Sequence, residues 1–377
     1  MTRAFRVGRV FGIDIDIDYT WFIVFFIVVV MLSLDRSALY LPGISGAVRW
    51  LAGFLTAILF FASVLLHELS HSLVALRNGL KISSITLFIF GGVSRMTDEP
   101  KSAGVEFRVA IAGPLMSLVL CGVFVGLRLL LASAGTPGAI LATMFGWLGL
   151  MNGALAVFNL LPGFPLDGGR VLRAGIWSAT GNLLGSTRIA SSFGQGLGFL
   201  LILWGAMRFI VGGTSGLGGV WIALIGWFLV QAAQQSYQQL VLRQQLLNVP
   251  VSSAMTQQVE WVPADATLDQ VVHDHVMRHN HRAFPVLDGD RLLGIISLSE
   301  IRHEPHERWP WITVREVVPP LTEAQTIRPG AGAWDALIKM TNGNYGRLLV
   351  TDDGALLGII TRTDIMRLLR RRIELGM

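Results

Sequence analysis

Residues 50–76 read WLAGFLTAILFFASVLLHELSHSLVAL, and within them Leu65-Leu66-His67-Glu68-Leu69-Ser70-His71 decides how the chain is to be read. The run carries no charge before His67, and a spanning helix needs only about 20 mostly apolar residues. His67 and His71 lie four apart and so share one helix face, close enough for both imidazoles to reach one metal ion, with Glu68 beside it. A carboxylate in that place can take a proton from a metal-bound water. A five-residue pattern of this kind also arises by chance. Here chance is costly, because two imidazoles and a carboxylate inside an apolar helix lose several kcal/mol unless they are paired or bind a metal. The plain alternative is a polar trio satisfied by neighbouring helices.

Two histidines leave zinc one protein ligand short, since catalytic sites keep three and an open water position. The strongest candidate for the third is Asp167, in Asn159-Leu160-Leu161-Pro162-Gly163-Phe164-Pro165-Leu166-Asp167-Gly168-Gly169-Arg170. Pro162 and Pro165 end the preceding helix, and Gly168-Gly169 permits close backbone approach. Without a metal, the same stretch reads as a helix-terminating turn with Asp167 capping the next helix.

Six apolar stretches surround these motifs: residues 19–34, 50–76, 105–132, 139–161, 193–211 and 217–233. The chain has 377 residues, 52% of them hydrophobic and 15% charged, with mean hydropathy +0.57. That is too apolar for a soluble fold, so the first two thirds read as a multi-span α-helical membrane protein of about six transmembrane helices. The formal net charge of +5 does not point to nucleic acid, because Arg77, Lys81, Arg170, Arg173, Arg188 and Arg243 flank apolar spans. They place both termini in the cytoplasm, the chain in the cell (inner) membrane, and Arg49, Arg128 and Arg208 as exceptions. The lone Cys121 excludes an intramolecular disulfide or a thiolate cluster. The basic start, Met1 to Arg9, resembles a secretory signal, but Ile13-Asp14-Ile15-Asp16-Ile17-Asp18 interrupts it and predicts an uncleaved anchor.

Two segments have a strand rather than a helix pattern. Residues 5–18 alternate with period two, and residues 82–96 place β-branched and aromatic residues around Gly91-Gly92, which predicts a hairpin and a small membrane-associated β-sheet. At membrane depth such strands must be paired or buried in protein. They cap the helices, or they offer an edge to an extended substrate.

Beyond residue 234 the composition turns polar. Residues 282–301 (RAFPVLDGDRLLGIISLSEI) align without gaps, 64 positions on, with residues 346–365 (GRLLVTDDGALLGIITRTDI), with eight of twenty positions identical. The duplication predicts a soluble α/β module of two β-turn-β-helix units. His273, His275, His279 and His281 cluster nearby. They suggest a metal or pH sensor or, more plainly, a solvated helix face.

In combination these motifs resemble the site-2 proteases, intramembrane zinc metalloproteases, in the subgroup with C-terminal CBS domains. The resemblance covers essentially the whole chain: His67-Glu68-x-x-His71 in an early span, a Gly-Gly hairpin after it, Ala112-Gly113-Pro114 in the next span, and Asn159-x-x-Pro162 ending in Leu166-Asp167-Gly168. It departs from the family's commonest form in having Phe164 before Pro165. It implies Zn2+ on His67, His71 and Asp167, Glu68 as general base, and Asn159 near the site. The substrate it implies is a single-span membrane protein, such as a membrane-anchored regulator, cut within its bilayer segment. It also implies a metalloprotease domain at residues 1–236, a linker at 237–247, and a tandem CBS domain at 248–377 with units at about 248–303 and 311–372. CBS pairs bind ATP or AMP and dimerise, and here Thr361 and Asp364 match the nucleotide pattern, with Glu300 in place of the Asp in the first unit. The rival readings are a CBS-regulated transporter, since polar groups in spans often mark ion paths, and a catalytically silent partner-binding relative.

Overall fold

The computed structural model describes residues 4–34, 39, 43–89, 91–96, 99–212, 217–278 and 281–374. Met1, Thr2, Arg3 and His279 lie outside the described residues. Contacts divide the chain into two compact units, Met1–Gln238 and Gln239–Met377.

In the first unit the isoleucine–aspartate alternation forms a strand. β1 (Ala4–Val10) and β2 (Ile13–Asp18) pair antiparallel. Ile13 and Ile15 are buried, and Ile13 packs with Leu69 and Ile85. Asp14 and Asp16 pair instead with Arg6 and Arg9. β2 then feeds α1 (Tyr19–Leu34) directly. Asp18 caps this helix, its Oδ1 accepting from the Thr20 amide at 3.0 Å and the Thr20 hydroxyl at 2.7 Å. At 16 residues, α1 rises only about 24 Å, less than the roughly 30 Å of a bilayer core. Its first turn stands beside the middle of α2 (Gly46–Arg77), with Trp21 5.1 Å from Phe61.

After α2 the chain returns as β3 (Ile82–Phe88) and β4 (Gly91–Met96), completing a sheet of order β1-β2-β3-β4 in which β2 and β3 run parallel and β4 is an edge. This is the small sheet the alternation predicted. Then come α3 (Ala103–Leu131), α4 (Gly135–Asn159), α5 (Asp167–Thr180), α6 (Leu183–Val211) and α7 (Leu217–Leu247). Among the described residues four helices, α2, α3, α4 and α6, are long and apolar enough to cross a membrane, against the six stretches expected from the sequence. α1 falls short in length, and α7 joins an apolar first half to a glutamine-rich second half. α5 is a short amphipathic helix that the apolar runs did not announce.

The second unit repeats itself with the 64-residue period of the sequence. β5 (Val262–Pro263), β6 (Ala283–Asp288) and β7 (Arg291–Ser297) form one three-stranded sheet. β8 (Thr326–Ile327), β9 (Arg347–Asp352) and β10 (Ala355–Thr361) form the other. In each, the first strand is parallel to the second and the second antiparallel to the third. Helices α8 (Leu268–Gln270), α9 (Leu298–His303), α10 (Val314–Val317), α11 (Ala333–Asn342) and α12 (Arg362–Glu374) complete the two halves. Each half buries its own core, one around Phe284, Val286 and Ile296 and one around Leu348, Val350 and Ile360.

Candidate metal centre

The helical periodicity of α2 places His67 and His71 one turn apart on its inner face, each only 3% exposed. Their Nε2 atoms stand 3.2 Å apart, and Asp167 Oδ2 lies 3.2 Å from the first and 3.1 Å from the second. The opposite ring nitrogens are occupied. His71 Nδ1 lies 2.6 Å from the Val109 carbonyl, and His67 Nδ1 lies 2.9 Å from Ser117 Oγ. A carbonyl only accepts, so His71 carries its proton on Nδ1, and its neutral form presents a bare lone pair at Nε2. Ser117 can accept in the same way from His67.

Two lone pairs and a carboxylate oxygen converging in a buried space repel one another, and one shared proton satisfies at most one of the three contacts. A cation satisfies all three. Donor atoms about 2.0–2.1 Å from a tetrahedral zinc stand about 3.3 Å apart, close to the distances found here. Among the described residues this is the one group of three or more His, Cys, Asp and Glu donors gathered closely enough for a metal ion. The residues present therefore fit the implied metal, and Gly113 of α3 keeps the space open. A Cβ there would run into Nε2 of His71 and come within 2.5 Å of Nε2 of His67.

Asp167 reaches the histidines because α4 ends at Asn159 and the chain turns through Pro162 to Leu166. The Phe164 amide donates to the Ala190 carbonyl of α6 at 3.1 Å, which ties this turn down. Gly168 and Gly169 lie against the backbone of Leu160 and Gly163, the close approach their sequence suggested. The N-cap of α5 is Leu166, which makes no side-chain cap bond, so Asp167 is directed at the histidines rather than spent as a cap. Asn159 ends α4 half-buried, and none of the hydrogen bonds joining the triad reaches it.

Glu68 points toward β4. Ser94 Oγ donates to its Oε2 at 3.3 Å, and Ser72 Oγ lies 3.1 Å from Ser94 Oγ. A Cβ on Gly92 would strike Glu68 Cγ and come within 3.0 Å of its carboxyl carbon, so this edge strand lies directly on the carboxylate. Sequence reasoning missed Ser117, Val109 and Ser94, because their pairing with α2 joins residues 50, 38 and 26 positions apart.

The second unit disposes of its candidates differently. Thr361 and Asp364 form a capping box at the start of α12. The Thr361 amide and hydroxyl donate to Asp364 Oδ2 at 3.0 and 2.6 Å, and the Asp364 amide donates to Thr361 Oγ1 at 3.2 Å. Ser297 and Glu300 repeat the arrangement on α9. A cavity of about 440 Å³ lies instead between the β6–β7 and β9–β10 hairpins, bordered by Trp261, Leu287, Asp290 and Gly358. Of the described histidines, His273 faces Asp269, His275 faces Glu260, and His275 and His281 both pack against the Phe284 ring.

Comparison with known proteins finds relatives for both units. Residues 55–133 and 132–203 match Peptidase family M50, and residues 251–307 and 314–371 each match the CBS domain. The chain is 35% identical to sll0528 of Synechocystis sp. over 98% of its own length and 96% of that protein's. It is also 35% identical to Rip3 of Mycobacterium tuberculosis, over 98% and 93%. The names of both call them zinc metalloproteases. A solved structure, the site-2 protease from Methanocaldococcus jannaschii, is 32% identical, covering 62% of this chain and 95% of that one with a TM-score of 0.44. The chain belongs to peptidase family M50, the site-2 proteases, in the branch whose membrane domain is followed by a CBS pair.

Proposed function

We propose that this protein is an intramembrane zinc endopeptidase that cuts the bilayer segment of single-span, membrane-anchored regulatory proteins. The observation that carries the reading is the buried convergence of His67 Nε2, His71 Nε2 and Asp167 Oδ2 next to the Glu68 carboxylate. Bound there, zinc supplies a Lewis acid and a water acidified toward a pKa of about 7. Glu68 takes the proton of the attacking water and returns it to the departing amide nitrogen. The two Nε2 atoms and Asp167 would hold the ion. Asn159, at the mouth of the turn that carries Asp167, orients the substrate.

A helical substrate hides its carbonyls in its own hydrogen bonds and must be locally unwound before attack. β4 is a sheet edge lying on Glu68, and an extended segment added to that edge runs past the base. The CBS pair regulates the protease through ATP or AMP, or through homodimerisation. The cavity beside Asp290 and Gly358 supports a ligand there, whereas Thr361 and Asp364 are engaged in capping.

The test is co-expression of the chain with candidate single-span substrates beside its Glu68→Gln variant. Cleavage by the wild type that is lost in the variant, with zinc content unchanged, supports the assignment. Equal cleavage by both contradicts it.

A further inference from the structure

Three charged side chains lie together inside the unit beyond the metal ligands: Glu106, Arg173, and Arg170, which stands between Asp167 and Arg173 on α5 and shares Glu106 as an opposite charge. Glu106, in the first turn of α3, is fully buried. Arg173 of α5 donates to its Oε1 from Nε at 2.6 Å and again from Nη2. The other carboxylate oxygen of Glu106 is buried without a hydrogen-bond partner. The Arg173 guanidinium also sits 5.0 Å from the centre of the Phe164 ring, in the turn that delivers Asp167.

A pair that leaves one oxygen of a buried carboxylate unsatisfied is poorly explained by stability alone, because desolvation offsets most of the Coulomb gain. Its location gives a better account. Glu106, Val109, Gly113 and Ser117 recur at helical spacing and share one face of α3. The last three hold His71, clear the metal space and hold His67. Arg173 stands six residues past Asp167 on α5, about 9 Å along the axis. Gly168, Gly169 and Leu172 pack the first turns of α5 against its own turn and against Ala190 of α6, and the pair adds a contact to α3 that resists a roll about the helix axis. A roll of about 10° moves an atom about 5 Å from the axis by about 0.9 Å, and a metal ligand tolerates only about 0.5 Å.

We infer that the Glu106–Arg173 pair is the positioning element of the metal site, locking α5 against α3 so that Asp167 meets the two histidines. The inference rests on the metal reading of His67, His71 and Asp167. Neither residue is among the three donors of the metal group.

The experiment is a zinc titration of the full chain in detergent micelles against a chromophoric chelator, with the Co2+ absorption spectrum and thermal unfolding recorded on the same samples. Glu106→Gln/Arg173→Gln removes both charges of the pair and keeps the side-chain volumes close, while Arg173→Lys keeps the charge but not the two-pronged donor. The double variant is expected to bind zinc about 10–100-fold more weakly, with an altered Co2+ spectrum and an unfolding midpoint near that of the wild type. Arg173→Lys is expected to lie between. Wild-type zinc affinity in the double variant overturns the inference, as does failure of both variants to fold, which makes the pair purely structural. Because His71→Ala is run alongside, the two levels separate: a wild type that binds no more zinc than His71→Ala sinks the metal reading itself.

Discussion

His71 shows how one backbone atom sets the chemistry of a side chain. The Val109 carbonyl can only accept, so it holds the imidazole proton on Nδ1 and leaves Nε2 bare toward Asp167 and His67. Ser117 can do this for His67 by accepting from Nδ1 through a hydroxyl, a partner that can be removed. Ser117→Ala is therefore expected to weaken zinc binding about 10-fold or more, measured by chelator competition, with the fold retained. Gly113→Ala acts by volume instead, since its methyl group must enter the space between the two Nε2 atoms. Zinc content of the purified chain is expected to fall to near background, and full occupancy would show that the ion sits elsewhere. The histidines, Glu68 and Asp167 were legible in the sequence because spacing along one helix, and a turn rich in proline and glycine, are local signals. Val109, Ser117 and Gly113 were not, because helix-on-helix packing leaves no fixed interval in the chain. Glu106 did leave a mark, a lone carboxylate at the start of an apolar run.

β2 and α1 account for the short first apolar stretch. The strand carries the chain to the flank of α2, and the helix begins there rather than at one end of it. Isoleucine–aspartate alternation predicted the strand, but nothing local told that it would pair in parallel with β3 across the whole of α2. α5 was hidden for a different reason: its amphipathic pattern is brief, and it starts inside a stretch already claimed as a turn. At the edge of the sheet, β4 presses on Glu68 through Gly92. Gly92→Val should displace the carboxylate and abolish cleavage while leaving zinc bound, a combination read by assaying both on one sample. In the second unit the capping box of α12 makes a separate prediction. Asp364→Ala removes the acceptor of both Thr361 bonds and is expected to cost the CBS module about 1 kcal/mol, seen in chemical denaturation. A nucleotide-dependent change in cleavage that survives Asp364→Ala would move the ligand to the cavity at Asp290.

Across the whole chain, the duplication was the most legible feature. Each strand of the first repeat reappears 64 residues later with the same partner and direction, the hairpin register kept and the parallel pair shifted by one residue, because a repeated core imposes a repeated pattern of buried residues. The number of spans was the least legible, since length and hydropathy do not tell a helix that crosses a bilayer from one that starts partway along its neighbour. What unites the membrane unit is a set of helices and strands that brings three donors and a base together in a buried space. The most direct test is the zinc stoichiometry of the purified full chain by mass spectrometry, beside His71→Ala and Asp167→Asn. One zinc per wild-type chain, with both variants near zero and Glu68→Gln still loaded, is the predicted result. Zinc retained equally by the wild type and the ligand variants, or absent from all of them, would contradict the site.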